Sequence, residues 1–128
     1  MSLKDHRVRA TVAVSDINRA VEFYEGKLGL SGRTGGPPLR IYECGGGSEL
    51  QVYESAEHAG KSTATVVSWS VSDFDTQVDE LLAAGVEFER YEGLPVDDKG
   101  VHAFGDHKVA WFLDPDGNTI AIDNGGPV

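Results

Sequence analysis

The sequence predicts an α+β fold of two β-α-β-β-β repeats that form a curved mixed sheet with helices on its outer face. Three observations carry that expectation. First, residues 12–30 are echoed by residues 69–88, with Val14-Ser15-Asp16 falling on Val71-Ser72-Asp73 and Gly29-Leu30 on Gly85-Val86. Second, each copy is followed by a run of short strand-like segments. Third, those segments alternate apolar and polar residues, the period of a sheet with one buried face. A repeat this long in 128 residues sets the architecture.

Each element has its local reason. Residues 9–14 alternate and read as a strand. Ser15 or Asp16 suits the helix N-cap, because a short side-chain oxygen can accept from the unpaired N–H groups of the first turn. Ile17, Ala20, Val21, Tyr24 and Leu28 then recur at helical spacing as one apolar stripe, and Gly29 ends the helix. Residues 31–38 hold Gly32, Gly35, Gly36, Pro37 and Pro38 and read as a loop. Residues 39–44 read as a strand, Gly45-Gly46-Gly47 as a turn, and residues 49–53 as the returning strand. Residues 55–64, polar and small, connect the halves.

The second half repeats the order. Residues 66–71 read as a strand, and Asp73 caps a helix whose stripe is Phe74, Val78, Leu81 and Leu82, stopped by Gly85. Residues 86–91 read as a strand, and residues 93–107 as a long polar stretch containing glycine. Residues 109–113 and 119–123 form a final hairpin around Asp114-Pro115-Asp116-Gly117-Asn118. There proline presets φ and glycine accepts positive φ, so turn chemistry accounts for the aspartates without a catalytic role.

Composition bounds the function. The chain predicts one domain, residues 1–128, with repeat one over about 7–55 and repeat two over about 64–124. No apolar stretch approaches the ~20 residues of a membrane span, and no basic start followed by an apolar run suggests secretion. The lone Cys44 cannot form an internal disulfide, which fits a cytoplasmic protein. A formal net charge of -10 argues against a nucleic-acid partner. That charge is uneven: residues 1–64 carry 8 Lys+Arg against 8 Asp+Glu, and residues 65–128 carry 3 against 13. An acidic second half could attract a cationic ligand or simply solubilise the surface.

Strand parity sorts the faces. Val12, Val14, Leu50, Val52, Val67, Trp69, Val71, Ile120 and Ile122 form one apolar class, expected to meet the helices. Arg9, Thr11, Ala13, Glu49, Gln51, Tyr53, Val66, Ser68, Ser70, Thr119, Ala121 and Asp123 form the other, small and polar, expected to line a cup.

Those residues carry a resemblance. The paired β-α-β-β-β units, the strand-Asp-helix phrase of residues 12–30 and its echo, and FLDPDGNTIAI near the end resemble the vicinal oxygen chelate superfamily, which includes glyoxalase I, bleomycin-resistance proteins and extradiol dioxygenases. The resemblance spans residues 7–124. It implies the fold and, in the enzymes, a divalent metal held by His, Glu or Gln at four strand positions. Those positions correspond here to Arg9, Gln51, Val66 and Ala121. Arginine adds positive charge, valine and alanine have no donor, and only Gln51 could ligate. No metal and no cofactor are therefore expected. His6, His58, His102 and His107 match no closed zinc pattern.

The cup keeps other chemistry. Arg9 could pair with an anionic ligand group or an aromatic ring, or instead with Glu49 or Asp123 on its own face. Tyr42, Tyr53 and Trp111 offer flat apolar surface with a polar handle. Ser68 could donate a hydrogen bond, His102 lies in a loop that could fold over the cup, and Glu49 could act as a general base if burial raised its pKa. The candidate ligand-binding set is thus Arg9, Tyr42, Glu49, Gln51, Tyr53, Ser68, His102 and Trp111. The resemblance to the metal-free, bleomycin-resistance branch implies a homodimer that sequesters a small aromatic or cationic ligand. The alternative is a lyase, isomerase or hydrolase of the same fold, using Arg9, Glu49 or His102 on a small metabolite.

Overall fold

A computed structural model describes residues 2–34 and 39–125. They fall into two compact units, Met1–Lys61 and Ser62–Val128, matching the halves of the repeat.

Unit one contains β1 (Arg9–Val14), α1 (Ile17–Val21, continuing as a π-helix through Glu22–Lys27), β2 (Gly32–Thr34), β3 (Leu39–Glu43) and β4 (Glu49–Glu54). Its sheet runs β1-β4-β3-β2, with β1 parallel to β4 and the other pairs antiparallel. A parallel pair needs a long crossover, and α1 with β2 and β3 supplies it. Asp16 is the cap: its Oδ1 accepts from the backbone N–H of Asn18 at 2.9 Å and of Arg19 at 3.2 Å.

The helix departs from the expected 3.6-residue stripe. The Leu28 N–H donates to the Phe23 carbonyl at 3.0 Å, an i to i−5 bond. Phe23 and Tyr24 are both buried beside Ala20, at i+3 and i+4 from it on one face. Phe23 is not part of the expected stripe. With Val12, Val14, Leu50 and Val52 these side chains form the core of unit one, each large one contributing about 1.5–3 kcal/mol on burial.

A second difference lies at residues 32–34. Residues 31–38 were expected to be a loop, but residues 32–34 pair with β3 as the edge strand β2; residues 35–38 of that loop lie outside the described residues. Gly32 stands opposite Tyr42, whose ring lies over it.

Unit two contains β5 (Thr65–Ser70), α2 (Phe74–Ala83), β6 (His102–Phe104), β7 (His107–Leu113) and β8 (Thr119–Asp123), ordered β5-β8-β7-β6 with β5 parallel to β8. Val67, Phe74, Val78, Leu81, Phe112, Ile120 and Ile122 are buried. Asp73 holds the N-cap position, but its carboxylate accepts from Gln77 Nε2 at 3.1 Å, not from the backbone expected of a cap. Gly85, at φ 90°, closes α2: its N–H donates to the Leu82 carbonyl and that of Val86 to the Leu81 carbonyl.

The strand expected at residues 86–91 is reduced to a single bridge, Phe88 to Phe112, with the Glu89 N–H donating to the Trp111 carbonyl at 2.7 Å. The rest of that edge of β7 belongs to β6, which grows from the stretch expected to be loop. Two short segments share one strand edge, so neither becomes long. The Asp114 turn is structural as expected. Its buried carboxylate accepts from the N–H groups of Asp116 and Asn118 at 2.9 Å each and from Asn118 Nδ2 at 2.8 Å.

Gly32 provides a test of the first unit. A Cβ there would lie 2.5 Å from Tyr42 Cδ1, and Tyr42 is held by its hydroxyl bond to Glu25 and by the Tyr24 ring. Gly32→Ala is expected to cost about 1–3 kcal/mol in denaturant unfolding. Gly26→Ala, with open space around its Cβ, should be neutral or slightly stabilising. Equal midpoints for the two variants would overturn this account of Gly32.

Candidate functional site

The polar face of unit one is set by register. β1 and β4 run parallel with Arg9 opposite Glu49, Thr11 opposite Gln51 and Ala13 opposite Tyr53. Paired residues share a face, so all six lie together. Ile41 pairs with Gln51 and Arg33 with Ile41, which brings Arg33 to the same side.

Glu49 is the centre. Its side chain is only 6% exposed, while Arg9 is 40% and Arg33 54% exposed. Arg9 donates to Glu49 Oε1 from Nε at 3.3 Å and from Nη2 at 2.9 Å, and from Nη1 to Gln51 Oε1 at 3.0 Å. Arg33 Nη2 donates to Glu49 Oε2 at 3.3 Å. Of the two partners open to Arg9 on its face, Glu49 is therefore the one it meets; Asp123 instead accepts from Ser70 Oγ at 2.8 Å. The hydrogen-bonded Arg9 guanidinium holds the Glu49 carboxyl below its usual range. Burial opposes this, and the charges of Arg9, Arg33 and Arg7 add to it. The expectation of a general base with a raised pKa is thus reversed: two guanidiniums outweigh desolvation.

Tyr42 corrects a second expectation. It pairs with Leu50, so it stands on the helix side of the sheet and not on the polar face. Its ring stacks on Tyr24 at 6.1 Å between centroids, and its hydroxyl donates to Glu25 Oε2 at 3.0 Å. Burial, followed by that carboxylate, pushes its pKa up to about 12. Arg40 reaches the same oxygen from Nε at 3.1 Å and Nη2 at 2.7 Å. This group ties α1 to β3.

The opposite face of unit two gathers differently. Trp111 pairs with Ala121, and Ala121 with Ser68, which places all three on the side away from the apolar residues Phe112 and Ile120. The parity of Trp111, ambiguous in sequence, is settled by that register. Ser68 is exposed, Trp111 half-buried, and His102, opposite Val109 in β6, is fully buried. Ring centroids of His102 and Trp111 lie 5.1 Å apart, those of Tyr91 and Trp111 5.1 Å, and those of Tyr91 and His102 5.7 Å. Tyr91, absent from the sequence-derived set, is brought in because residues 88–89 share the β7 edge with β6 and its own N–H then bonds His102. No signal in the sequence marks that sharing. Arg90 pins the intervening loop, donating to the carbonyls of Asp97 at 2.9 Å and Asp98 at 2.6 Å.

His102 is held as a neutral ring. The Tyr91 N–H donates to its Nε2 at 3.2 Å, so the single ring proton sits on Nδ1. That Nδ1 is buried and has no hydrogen-bond partner. Burial first, then the nearby Arg90 charge, lowers the His102 pKa, with Asp97 opposing.

The four positions that hold a metal in the enzymes of the resembled superfamily do not fit one here. Arg9 fills its position with a guanidinium bonded to Gln51 and Glu49. Val66 is the unpaired residue of a bulge between Thr65 and Val67, and Ala121 has no donor. No group of three or more His, Cys, Asp or Glu side chains among the described residues is placed to hold an ion. Nor is any helix among them long and apolar enough to cross a membrane.

The repeated β-α-β-β-β unit, with first and last strands parallel, defines a two-module α+β class of protein. Within it, this chain belongs to the Glyoxalase/Bleomycin resistance protein/Dioxygenase superfamily, whose family model matches residues 6–122. Among solved structures it is similar to a glyoxalase/bleomycin resistance protein from Catenulispora acidiphila, with 26% identity, 91% of this chain and 96% of that chain covered, and a TM-score of 0.67. A putative glyoxalase family protein from Bacillus anthracis matches at 20% identity over 92% and 93% of the two chains, TM-score 0.71. An integron cassette protein from the mobile metagenome of V. cholerae matches at 19% over 94% and 95%, TM-score 0.63. The last two likenesses speak for the fold alone. No curated protein matches the chain.

The His102 environment gives a pH prediction. In the fold its neutral form is favoured; in the unfolded chain it titrates near ~6.5. Below that value the unfolded chain takes up a proton that the fold resists, so this stabilisation is present above pH ~6.5 and fades as pH falls towards the lowered pKa. His102→Gln keeps an acceptor for the Tyr91 N–H and removes the titration. The wild-type protein should lose more Tm between pH 7 and pH 5 than His102→Gln does; equal losses would show that another group is responsible.

Proposed function

We propose that this protein is a metal-independent binder of a small planar aromatic molecule, which Tyr91, His102 and Trp111 receive. The observation that carries the reading is the buried, unpartnered Nδ1–H of His102 beside two aromatic rings. A buried donor without a partner costs about 1–3 kcal/mol, and a ring bearing an acceptor atom would relieve that cost while stacking on Trp111. Tyr91 is 39% exposed and Trp111 half-buried, so these two rings meet an incoming partner at the surface, and the buried His102 is reached as they move apart. A cationic ligand fits less well, because it has no acceptor for Nδ1–H and meets Arg90.

Binding is favoured over catalysis by the state of the two candidate bases. Glu49 has a guanidinium donor on each oxygen and a lowered pKa, which makes it a weak base. The free lone pair of His102 is engaged by the Tyr91 N–H and is unavailable to a substrate proton. A cytoplasmic homodimer is part of this reading, supported by the single Cys44 and by the resemblance to the bleomycin-resistance branch.

Indole and quinoline are suitable probes. Thermal unfolding followed with a bound probe at about 100 times its Kd should show about 2.7 kcal/mol of added stability. Trp111→Leu should weaken the probe roughly two- to tenfold, as expected for loss of an aromatic contact worth about 0.5–1.5 kcal/mol. The absence of any shift across a panel of planar heteroaromatics, or an unchanged affinity in Trp111→Leu, would falsify the proposal. Sedimentation showing only monomer at micromolar concentration would remove the dimer from it.

A further inference from the structure

We infer that the polar face of unit one is an oxyanion site, in which Arg9 and Arg33, held side by side on Glu49, receive a carboxylate or phosphate group. It stands independently of the aromatic reading, on different residues of a different unit.

The argument starts from donor and acceptor counts. A guanidinium offers five N–H groups and no acceptor. Arg9 spends three of them on Glu49 and Gln51, and Arg33 directs Nη2 at Glu49, with Nε 4.0 Å from the exposed Glu43 carboxylate. N–H groups remain on both, and both side chains stay about half exposed. Gln51 accepts from Arg9 through its oxygen, so its amide N–H groups are not spent on that contact. Thr11 and Tyr53 add hydroxyls on the same face. The buried acceptor there, Glu49, already has a donor on each oxygen. A face rich in unspent donors takes a ligand rich in acceptors.

Charge points the same way. Arg7, Arg9 and Arg33 all act on Glu49, and Glu43 is the other carboxylate beside Arg33. Three cations against two anions leave this patch positive in a chain of net charge -10. Glu49 nonetheless has a use: buried on β4 between arginines from β1 and β2, it fixes the two planar forks in position. A pre-positioned arginine loses less freedom on binding, and paired forks match the geometry of an oxyanion.

The clamp is tested by isothermal titration at low ionic strength with two probes, inorganic phosphate and acetate, which separate a phosphate from a carboxylate preference and carry no ring for the aromatic cluster. Saturable binding of either supports the site. Arg33→Gln, at an exposed position, should weaken the bound probe at least tenfold. Arg19→Gln, on the exposed surface of α1, serves as the charge control and should leave affinity within twofold. Circular dichroism melts confirm that each variant is folded. The inference is overturned if neither probe binds the folded wild-type protein, or if Arg33→Gln and Arg19→Gln weaken binding equally.

Discussion

Six residues of β1 run parallel to six of β4, and those of β5 run alongside β8 in the same sense. Everything else in each unit follows from joining the first strand to the last in this direction. Parallel strands cannot be joined by a tight turn, so a helix and two further strands must occupy the crossover. The helix then covers one face of the sheet, and alternation puts Val12, Val14, Leu50 and Val52 beneath it. The same register sends Arg9, Glu49, Gln51 and Tyr53 to the other face, where packing does not dictate their identity.

The two units use this common frame for different chemistry. In unit one the polar face is organised by a buried carboxylate. Isolated, Glu49 would be costly to bury in ionised form; with a guanidinium on each oxygen its charge is matched and its geometry fixed. Removing Arg9 alone would strand that carboxylate, so the pair behaves as one structural piece. Arg33 approaches it from an edge strand and is more exposed, which makes it the adjustable member. In unit two the corresponding positions are Val66 and Ala121, and the polar face is organised by rings. The bulge at Val66 and the sharing of one β7 edge between β6 and residues 88–89 distort this unit away from exact repetition. That distortion seats His102 between Tyr91 and Trp111.

The same asymmetry appears at the four positions where the resemblance implies metal ligands, whose residues do not fit a metal. Here one unit supplies a guanidinium and an amide, the other a methyl group and an isopropyl group. The frame persists because it depends on backbone register and apolar alternation, which none of those substitutions disturbs.

The sequence by itself determined the repeat, the strand and helix order of each unit, the apolar core face and the structural role of the Asp114 turn. These depend on contacts a few residues apart and on periods of two or nearly four, which are visible along a chain. Arg9, Glu49 and Gln51 were also legible together, because parity assigns them one face and the repeat aligns their strands. Four things required the tertiary structure. Tyr42 lies against Tyr24 because β3 takes its register from β4, which its own residues do not state. The helix widens to a π-turn over Glu22–Lys27, which the regular apolar spacing does not announce. Arg33 reaches Glu49 only because residues 32–34 join an edge strand despite the glycines around them. Tyr91 and His102, eleven residues apart, meet because two segments compete for one strand edge. That competition is settled by long-range hydrogen bonds, which leave no periodic trace in the sequence.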